Sequence, residues 1–268
     1  CVIIGVQSKN TSDKFLYDGE ETNIRRCKFI SPYLVDVDPS VLILRSNTQI
    51  SGLKEMLMGN MPRDDGNLIL SSEERDKLLK NYPDAIKFLK KYVGATELIK
   101  NEKRWCLWIK DDDKDEATNI PFIKKRIEKV IKFRNASNAI STRLESKTPH
   151  KFVQIQHNPC RAIAIPTTTA SRRDYLPIDF VDENTVLSNL VFGLYEPEIY
   201  IFGILSSKMH TAWLKTVAGR FGDSYRYSSV ICYNSFVFPK IDGLKKKIIE
   251  EHVLEILDIG EKFSDKNL

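Results

Sequence analysis

Gly59-Asn60-Met61-Pro62-Arg63-Asp64-Asp65-Gly66-Asn67-Leu68 is the stretch on which the reading of this chain turns. It is dense in turn chemistry. Pro62 presets one backbone angle, Gly66 accepts angles closed to other residues, and the Asp64 and Asp65 carboxylates can bond nearby backbone N–H groups. Upstream, short apolar runs are joined by polar connectors. Residues 2–6 read as a buried strand, 14–17 as its hairpin partner, and 41–44 as a further run after the Asp38-Pro39 turn. Downstream, helical and strand patterns follow each other closely.

Ser71 stands three residues ahead of Glu74, the spacing of a capping box, and a helix is expected over 73–80. A second helix is expected over 84–93, ended by Gly94, and a strand over 105–109. The acidic run 111–116 reads as a solvated loop. Ile120, Ile123, Ile127, Val130 and Ile131 recur at spacings of three and four, which puts them on one face of a helix reaching about Leu144. Strands are expected at 153–155, 162–165, 176–180 and 199–204, and a helix from Asp182 or Asn184 to Leu190. Ser206 or Ser207 caps an amphipathic helix through Ala218, closed by Gly219. The aromatic, β-branched stretch 225–238 ends at Pro239. A last helix over 244–259 carries Leu244, Ile248, Val253, Ile256 and Leu257 on or near one face. Short strands and helices mix without a βαβ rhythm or a repeat, so the fold class is α+β.

The 268 residues are 42% hydrophobic and 29% charged, a balance that buries a core and excludes a disordered tail. No apolar run reaches the roughly 18 residues of a membrane span. Cys1, Cys27, Cys106, Cys160 and Cys232 are scattered and form no Cys-x-x-Cys pair. That argues against a disulfide framework or a zinc site and for reduced thiols in a cytoplasm. The chain opens without Met, in an apolar run too short for a signal peptide, and is expected to be a fragment of a longer protein.

Lys and Arg total 41 against 36 Asp and Glu, a surplus of +5. Lys124, Lys125, Arg126, Lys129, Lys132 and Arg134 fall on one helix against Glu128 alone, a local surplus as large as that of the whole chain. Bases on a docked helix are held rigidly and can track phosphates. A basic run taken alone is more often a solvated surface. Lys208, Lys215, Arg220 and Arg226 form a second cluster among Trp213, Phe221, Tyr225, Tyr227 and Tyr233. Gly219, Gly222 and Ser224 there leave backbone N–H groups open to an anion. Arg172-Arg173-Asp174 is a third, in a polar loop between Pro166 and Pro177. Adjacent guanidinium and carboxylate groups can meet base edges, or simply pair with each other. Three clusters in one chain point to nucleic acid.

Catalytic patterns are missing. There is no Gly-x-Gly-x-x-Gly, no phosphate-binding loop and no His-Glu-x-x-His. His150, His157, His210 and His252 form no cluster with carboxylates, and a lone His is more often structural. Cys160 lies three residues from His157 with no third group to orient the pair. Asn158-Pro159-Cys160 lacks the second proline and the aromatic ring of the Asn-Pro-Pro-Tyr/Phe loop that amino-methyltransferases stack on a flipped base, and reads as a turn.

Residues 59–68 resemble the GNKPxDGGNL stretch of large bacterial DNA methyltransferases of the MmeI type. Glu73-Glu74-Arg75 and Arg104-Trp105-Cys106-Leu107-Trp108 are similar to that family too, as is R-x-x-S-x-A-x-x-T-R from Arg134 to Arg143. So are Arg172-Arg173-Asp174-Tyr175-Leu176-Pro177 and FGILSSKMHTAW at 202–213. Gly219-Arg220, Ser224-Tyr225-Arg226-Tyr227-Ser228, Tyr233-Asn234 and 236–239 complete the match in order and spacing across 2–239.

The resemblance implies a target recognition domain, the part that follows the methyltransferase domain in type IIL restriction–modification enzymes and stand-alone methyltransferases. These proteins transfer a methyl group from S-adenosylmethionine to adenine N6. On that resemblance, 1–58 are the end of the methyltransferase sheet and a connector, 59–239 the recognition domain, and 240–268 a C-terminal helical segment. The S-adenosylmethionine pocket and the catalytic loop lie upstream in the family. No catalytic residue, metal or cofactor is therefore expected in this fragment, and S-adenosylmethionine is expected in the parent enzyme. The expected partners are double-stranded DNA and the methyltransferase domain of the parent chain, in the cytoplasm and away from any membrane.

Arg172, Arg173 and Asp174 are the expected base readers, with Arg134, Asn138 and Arg143 as second candidates. Lys124, Lys125, Lys129, Lys132, Lys208 and Arg226 are candidates for phosphate contacts. Tyr225, Tyr227, Trp213 and Met209 are expected to pack the core, with Arg220 and Arg226 undecided between core and DNA. Arg63 stands where the family often has a small polar residue, and Ala170-Ser171 replaces its Ser-acid step before the Arg pair. If that acid reads a base in relatives, a different base pair is expected to be read there. The competing reading is a protein–protein interaction module. In it, the basic or C-terminal helix docks an acidic partner or the rest of the parent enzyme.

Overall fold

A computed structural model of the chain describes residues 4–5, 8, 13–17, 24–38, 40 and 42–263. The strand expected over 2–6 lies mostly outside the described residues. Lys14–Tyr17 does form a strand, paired antiparallel with Ile24–Cys27.

Two hydrophobic cores organise the rest. The first lies against a four-stranded sheet in the order Thr185–Leu187, Leu89–Val93, Arg104–Leu107, Ile69–Ser71. Its first pair is parallel and the others antiparallel. The helices Ser72–Asn81 and Pro121–Asn135 bring Leu78, Ile123, Ile127 and Val130 onto Leu68, Leu70, Phe88 and Leu107. The capping box at the start of Ser72–Asn81 is formed in both directions. Ser71 Oγ accepts from the Glu74 N–H at 3.2 Å, and the Glu74 carboxylate accepts from the Ser71 N–H at 3.1 Å.

The second sheet is antiparallel throughout, in the order Leu57–Met58, Val191–Tyr195, Ala162–Pro166, Asp179–Val181. Its apolar residues pack with the helices Ile199–Leu205, Lys208–Val217 and Gly243–Lys262. Gly203 permits the C-terminal helix to come close, since a Cβ there would lie 2.7 Å from Ile249 Cγ2. A small cluster of Leu98, Ala164, Leu187 and Val191 draws on strands of both sheets. A third, three-stranded antiparallel sheet runs Gly219–Phe221, Ser224–Arg226, Thr168–Ala170.

Residues 42–58 are built into the second core through the far end of the chain. The Ser46 N–H donates to the Val230 carbonyl at 2.9 Å, and the Ile50 N–H to that of Asn234 at 3.0 Å. Gln49 Nε2 donates to the Phe236 carbonyl at 2.8 Å, and the Tyr233 hydroxyl to that of Lys54 at 2.9 Å. Met56 is buried in the same core.

Several elements differ from the sequence expectation. Residues 84–93 split into a 3₁₀ turn, Pro83–Phe88, and the strand Leu89–Val93, because Leu89 and Tyr92 enter the core between two partner strands. Asp182 caps a turn and no helix: its carboxylate accepts from Thr185 Oγ1 at 2.7 Å, and Thr185–Leu187 is a strand. Ile199–Leu205 is a helix and not a strand, with Ile201, Phe202, Ile204 and Leu205 all buried. A short helix, Lys114–Thr118, stands where a loop was expected. The long helix stops at Asn135 and a separate turn forms at Ile140–Leu144, with Ser137 Oγ accepting from the Ala139 N–H at 3.2 Å between them. Residues 153–155 contribute only an isolated bridge, Met61 to Gln154. The aromatic, β-branched stretch 225–238 is a strand only at its start, in Ser224–Arg226, and continues as a wide helical turn at Ser229–Tyr233. The α+β class stands.

Candidate nucleic-acid interface

The 59–68 stretch is a joint inside the protein. At Gly59 a Cβ would run into the Ser188 carbonyl oxygen. Asn60 is fully buried; its amide donates to the Leu187 carbonyl at 2.8 Å and accepts from the Gln156 and His157 N–H groups at 2.7 and 2.9 Å. The Asp64 carboxylate accepts from the Leu68 N–H, and burial raises its pKa. Gly66 follows with a φ of +75°.

Arg134 belongs to this joint and not to a DNA surface. It is 0% exposed. Its Nε donates to the Arg63 carbonyl at 3.0 Å, Nη1 to those of Glu145 and Thr148 at 2.8 and 3.0 Å, and Nη2 to those of Pro62 and Lys151 at 2.8 and 2.7 Å. A guanidinium has five N–H donors, and all are used. The expectation that Arg134 reads a base is corrected: it has neither an accessible face nor a spare hydrogen.

Arg126 is also drawn inward. It donates to the Asn67 and Ile69 carbonyls at 3.0 and 3.1 Å and pairs with Glu74. Two of the six bases on the helix are therefore structural. Lys124, Lys125, Lys129 and Lys132 are exposed. Asn138 and Arg143 are exposed as well, and Arg143 braces the turn between the two helices by donating to the Ser137 and Asn138 carbonyls at 2.7 and 3.0 Å.

The Arg172 loop leaves the third sheet from the end of Thr168–Ala170. The Ser171 N–H donates to the Asp223 carbonyl at 3.0 Å, and the Arg173 N–H closes back on Ala170 at 3.2 Å. Arg172 and Asp174 are exposed, and Arg173 is half-buried. Tyr175, 52% exposed, lies under Lys208, whose Nζ is 5.8 Å from the ring centroid. Arg226 is exposed on the same sheet, opposite Thr168. The fold thus gathers the Arg172 loop, Lys208 and Arg226 into one region. Tyr225 and Tyr227 are buried, and Trp213 Nε1 donates to the Cys232 carbonyl at 3.1 Å. Met209 is corrected: at 72% exposed, it faces solvent beside Lys208. Arg220 caps the Tyr225 hydroxyl at 2.9 Å with its guanidinium 4.7 Å from the ring.

The histidines have structural settings. His210 Nε2 lies 3.0 Å from the Tyr227 hydroxyl, and burial pulls its pKa down to about 4. His157 is edge-on to Trp108 and is likewise lowered by burial to about 4. His150 lies 2.9 Å from Asp111. Burial raises the Cys160 thiol, the opposite of an activated nucleophile. Among the described residues no group of three metal-ligating side chains comes together, and no helix is long and apolar enough to cross a membrane.

The α+β unit presents exposed bases on a docked helix, on a short sheet and on the loop that leaves it, and its family is clear. The chain belongs to the MmeI target recognition domain family, whose family model matches residues 37–240. It is 35% identical over 262 residues to DNA methyltransferase A of Bacillus subtilis (strain 168), covering 97% of this chain and 30% of that protein. Its fold is similar to that of the type IIL restriction–modification enzyme MmeI, solved in complex with DNA, with a TM-score of 0.90 and 36% identity over 97% of this chain and 35% of that one. The chain spans about a third of the length of these relatives.

Proposed function

We propose that this chain is the site-reading part of a larger, cytoplasmic DNA methyltransferase and binds double-stranded DNA in a sequence-specific way. The observation that carries the reading is the gathering of the Arg172 loop and Arg226 at one short sheet, with Lys208 over Tyr175 at the end of that loop, in a chain of this family. Arg172, Arg173 and Asp174 meet base edges in the major groove, with Asn138 and Arg143 as further contacts. Lys124, Lys125, Lys129, Lys132, Lys208 and Arg226 meet phosphates and set the register.

The parent's methyltransferase domain extrudes the target adenine and methylates N6. S-adenosylmethionine supplies the methyl group and is assigned to that domain. Residues 1–58 are assigned to the end of its sheet and the connector, of which 42–58 are seated in the reader's second core, 59–239 to the reader, and 240–268 to a C-terminal helical segment. That last helix suits docking of the rest of the parent, because Ile248, Ile256 and Ile259 are exposed on it.

The test is a titration of the full-length protein with duplex DNA, followed by selection from a randomised duplex pool. Salt-dependent binding that is tighter for one asymmetric site is expected. Absence of binding at micromolar protein near physiological salt overturns the reading.

A further inference from the structure

The hairpin of Gly219–Phe221 and Ser224–Arg226 turns at Gly222-Asp223, where Gly222 takes a φ of +57°. That turn lies where the Arg172 loop departs. Ala170 pairs with Ser224, and the Ser171 N–H donates to the Asp223 carbonyl at 3.0 Å. Phe221, the last residue before the turn, is 77% exposed, the most exposed large hydrophobic side chain among the described residues.

The strand holds Phe221 outward. Arg220 pairs with Tyr225, and their side chains bond to each other over the core. Alternation then sends Phe221 to the opposite face. Leaving a phenyl ring in water forfeits about 1.5–3 kcal/mol of burial. The hairpin and the loop that leaves beside it are basic: Arg172, Arg220 and Arg226 are exposed there against Asp174 and Asp223. Charge complementarity therefore selects a polyanion, and the ring calls for an apolar feature on it.

We propose that Phe221 reads the 5-methyl group of a thymine in the groove entered by the Arg172 loop. The inference rests on the DNA-reading function above. On the base edges of the major groove the thymine methyl is the apolar feature, and every other recognition group there is a hydrogen-bond donor or acceptor. A rigid ring beside a polar reading loop therefore adds thymine selection to what the loop reads.

The experiment starts from the site selected by the full-length wild-type protein. Each thymine in that duplex is replaced in turn by uracil, which lacks only the methyl group. One replacement is expected to weaken wild-type binding about fourfold, the size of one buried methyl. The same replacement leaves Phe221→Ala unchanged, and Phe221→Leu keeps part of the discrimination. Arg172→Ala relaxes a different position. Phe221→Ala melts like the wild type, because the ring is exposed.

Equal uracil sensitivity in wild type and Phe221→Ala overturns the inference while leaving the DNA-reading function standing. So does a rise in fluorescence of a neighbouring 2-aminopurine with the wild type alone and no uracil effect, which marks a wedge between base steps. A wild-type protein that binds no duplex overturns the function itself.

Discussion

Arg134 and Arg63 stand 71 residues apart in sequence, joined by a 3.0 Å hydrogen bond from Nε to the Arg63 carbonyl oxygen. Arg63 sits in the left-handed region with a φ of +45°, and its own side chain reaches Thr142 Oγ1 at 3.2 Å. Four further carbonyls, of Pro62, Glu145, Thr148 and Lys151, converge on the same guanidinium. Two segments, 62–63 and 145–151, are thus tied to one side chain. Arg134→Ala takes a donor from five acceptors. The Glu145 and Thr148 carbonyls keep a backbone N–H, of Thr148 and Lys151, at 3.2 and 3.1 Å, while those of Pro62, Arg63 and Lys151 lose theirs. An unsatisfied buried group costs about 1–3 kcal/mol. A loss of at least about 3 kcal/mol is expected in denaturant unfolding, with Arg134→Lys in between because an ammonium has three donors. An unchanged midpoint in Arg134→Ala would show that the joint contributes nothing.

The exposed lysines predict a different signature. Lys124→Ala with Lys125→Ala should weaken binding to every duplex alike. The slope of log affinity against log salt should fall by about 0.9 for each phosphate that is no longer neutralised. Anisotropy titrations over a salt series measure it. A variant that keeps the wild-type slope removes both lysines from the interface.

Arg172→Ala should act on sequence and not on salt. A bidentate contact is worth about 1–3 kcal/mol of discrimination, so the variant should bind its best site more weakly and accept other bases at one position. Selection from a randomised pool compares the two profiles. Identical profiles with identical affinity would take Arg172 out of base reading.

Acid should destabilise the fold through its buried histidines. Burial holds His210 at about 4 in the folded protein, while an unfolded His titrates near 6.5. Between those values the unfolded state binds the extra proton, so stability falls as pH drops from about 6.5 to about 4. The slope per proton approaches about 1.4 kcal/mol per pH unit. His157, lowered by burial to about 4, acts in the same direction. His210→Gln should remove one proton's share of the slope in unfolding measured across that range. A slope unaffected by the substitution would mean that His210 titrates alike in both states.

Local chemistry was readable from the sequence where it closes within a few residues. Ser71 with Glu74 caps one helix, and Ser207 accepts from the His210 N–H at 3.2 Å to start another. Helix and strand were exchanged where burial is all-round. The apolar run Ile199–Leu205 has no polar face from which to read a period. Leu89–Val93 is a strand because of partners from 104–107 and 185–187, which local propensity does not register. In the candidate interface, Arg134 and Lys132 look alike in a basic run. The five carbonyls that separate them come from loops at 62–63 and 145–151. Phe221 stood in the sequence only as one aromatic of the second basic cluster, since nothing local told that its strand would be a hairpin edge.

The seating of 42–58 against 228–238 sets an order on how the protein is made. Asn234 Nδ2 donates to the Ser46 carbonyl at 2.8 Å across 188 positions. A ribosome adding about 5–20 residues per second needs roughly 10–40 s to travel that distance. During that interval Ser46, Gln49 and Ile50 lack the Val230, Phe236 and Asn234 carbonyls that hold them. The sheet that Ile69–Ser71 shares with Arg104–Leu107, and later the pairing of Leu57–Met58 with Val191–Tyr195, are meanwhile available to form. The early segment is a waiting strip, an aggregation hazard for a nascent chain. A chain cut short before residue 230 should leave that strip uncovered for good and deliver the product to chaperones and proteases in place of DNA.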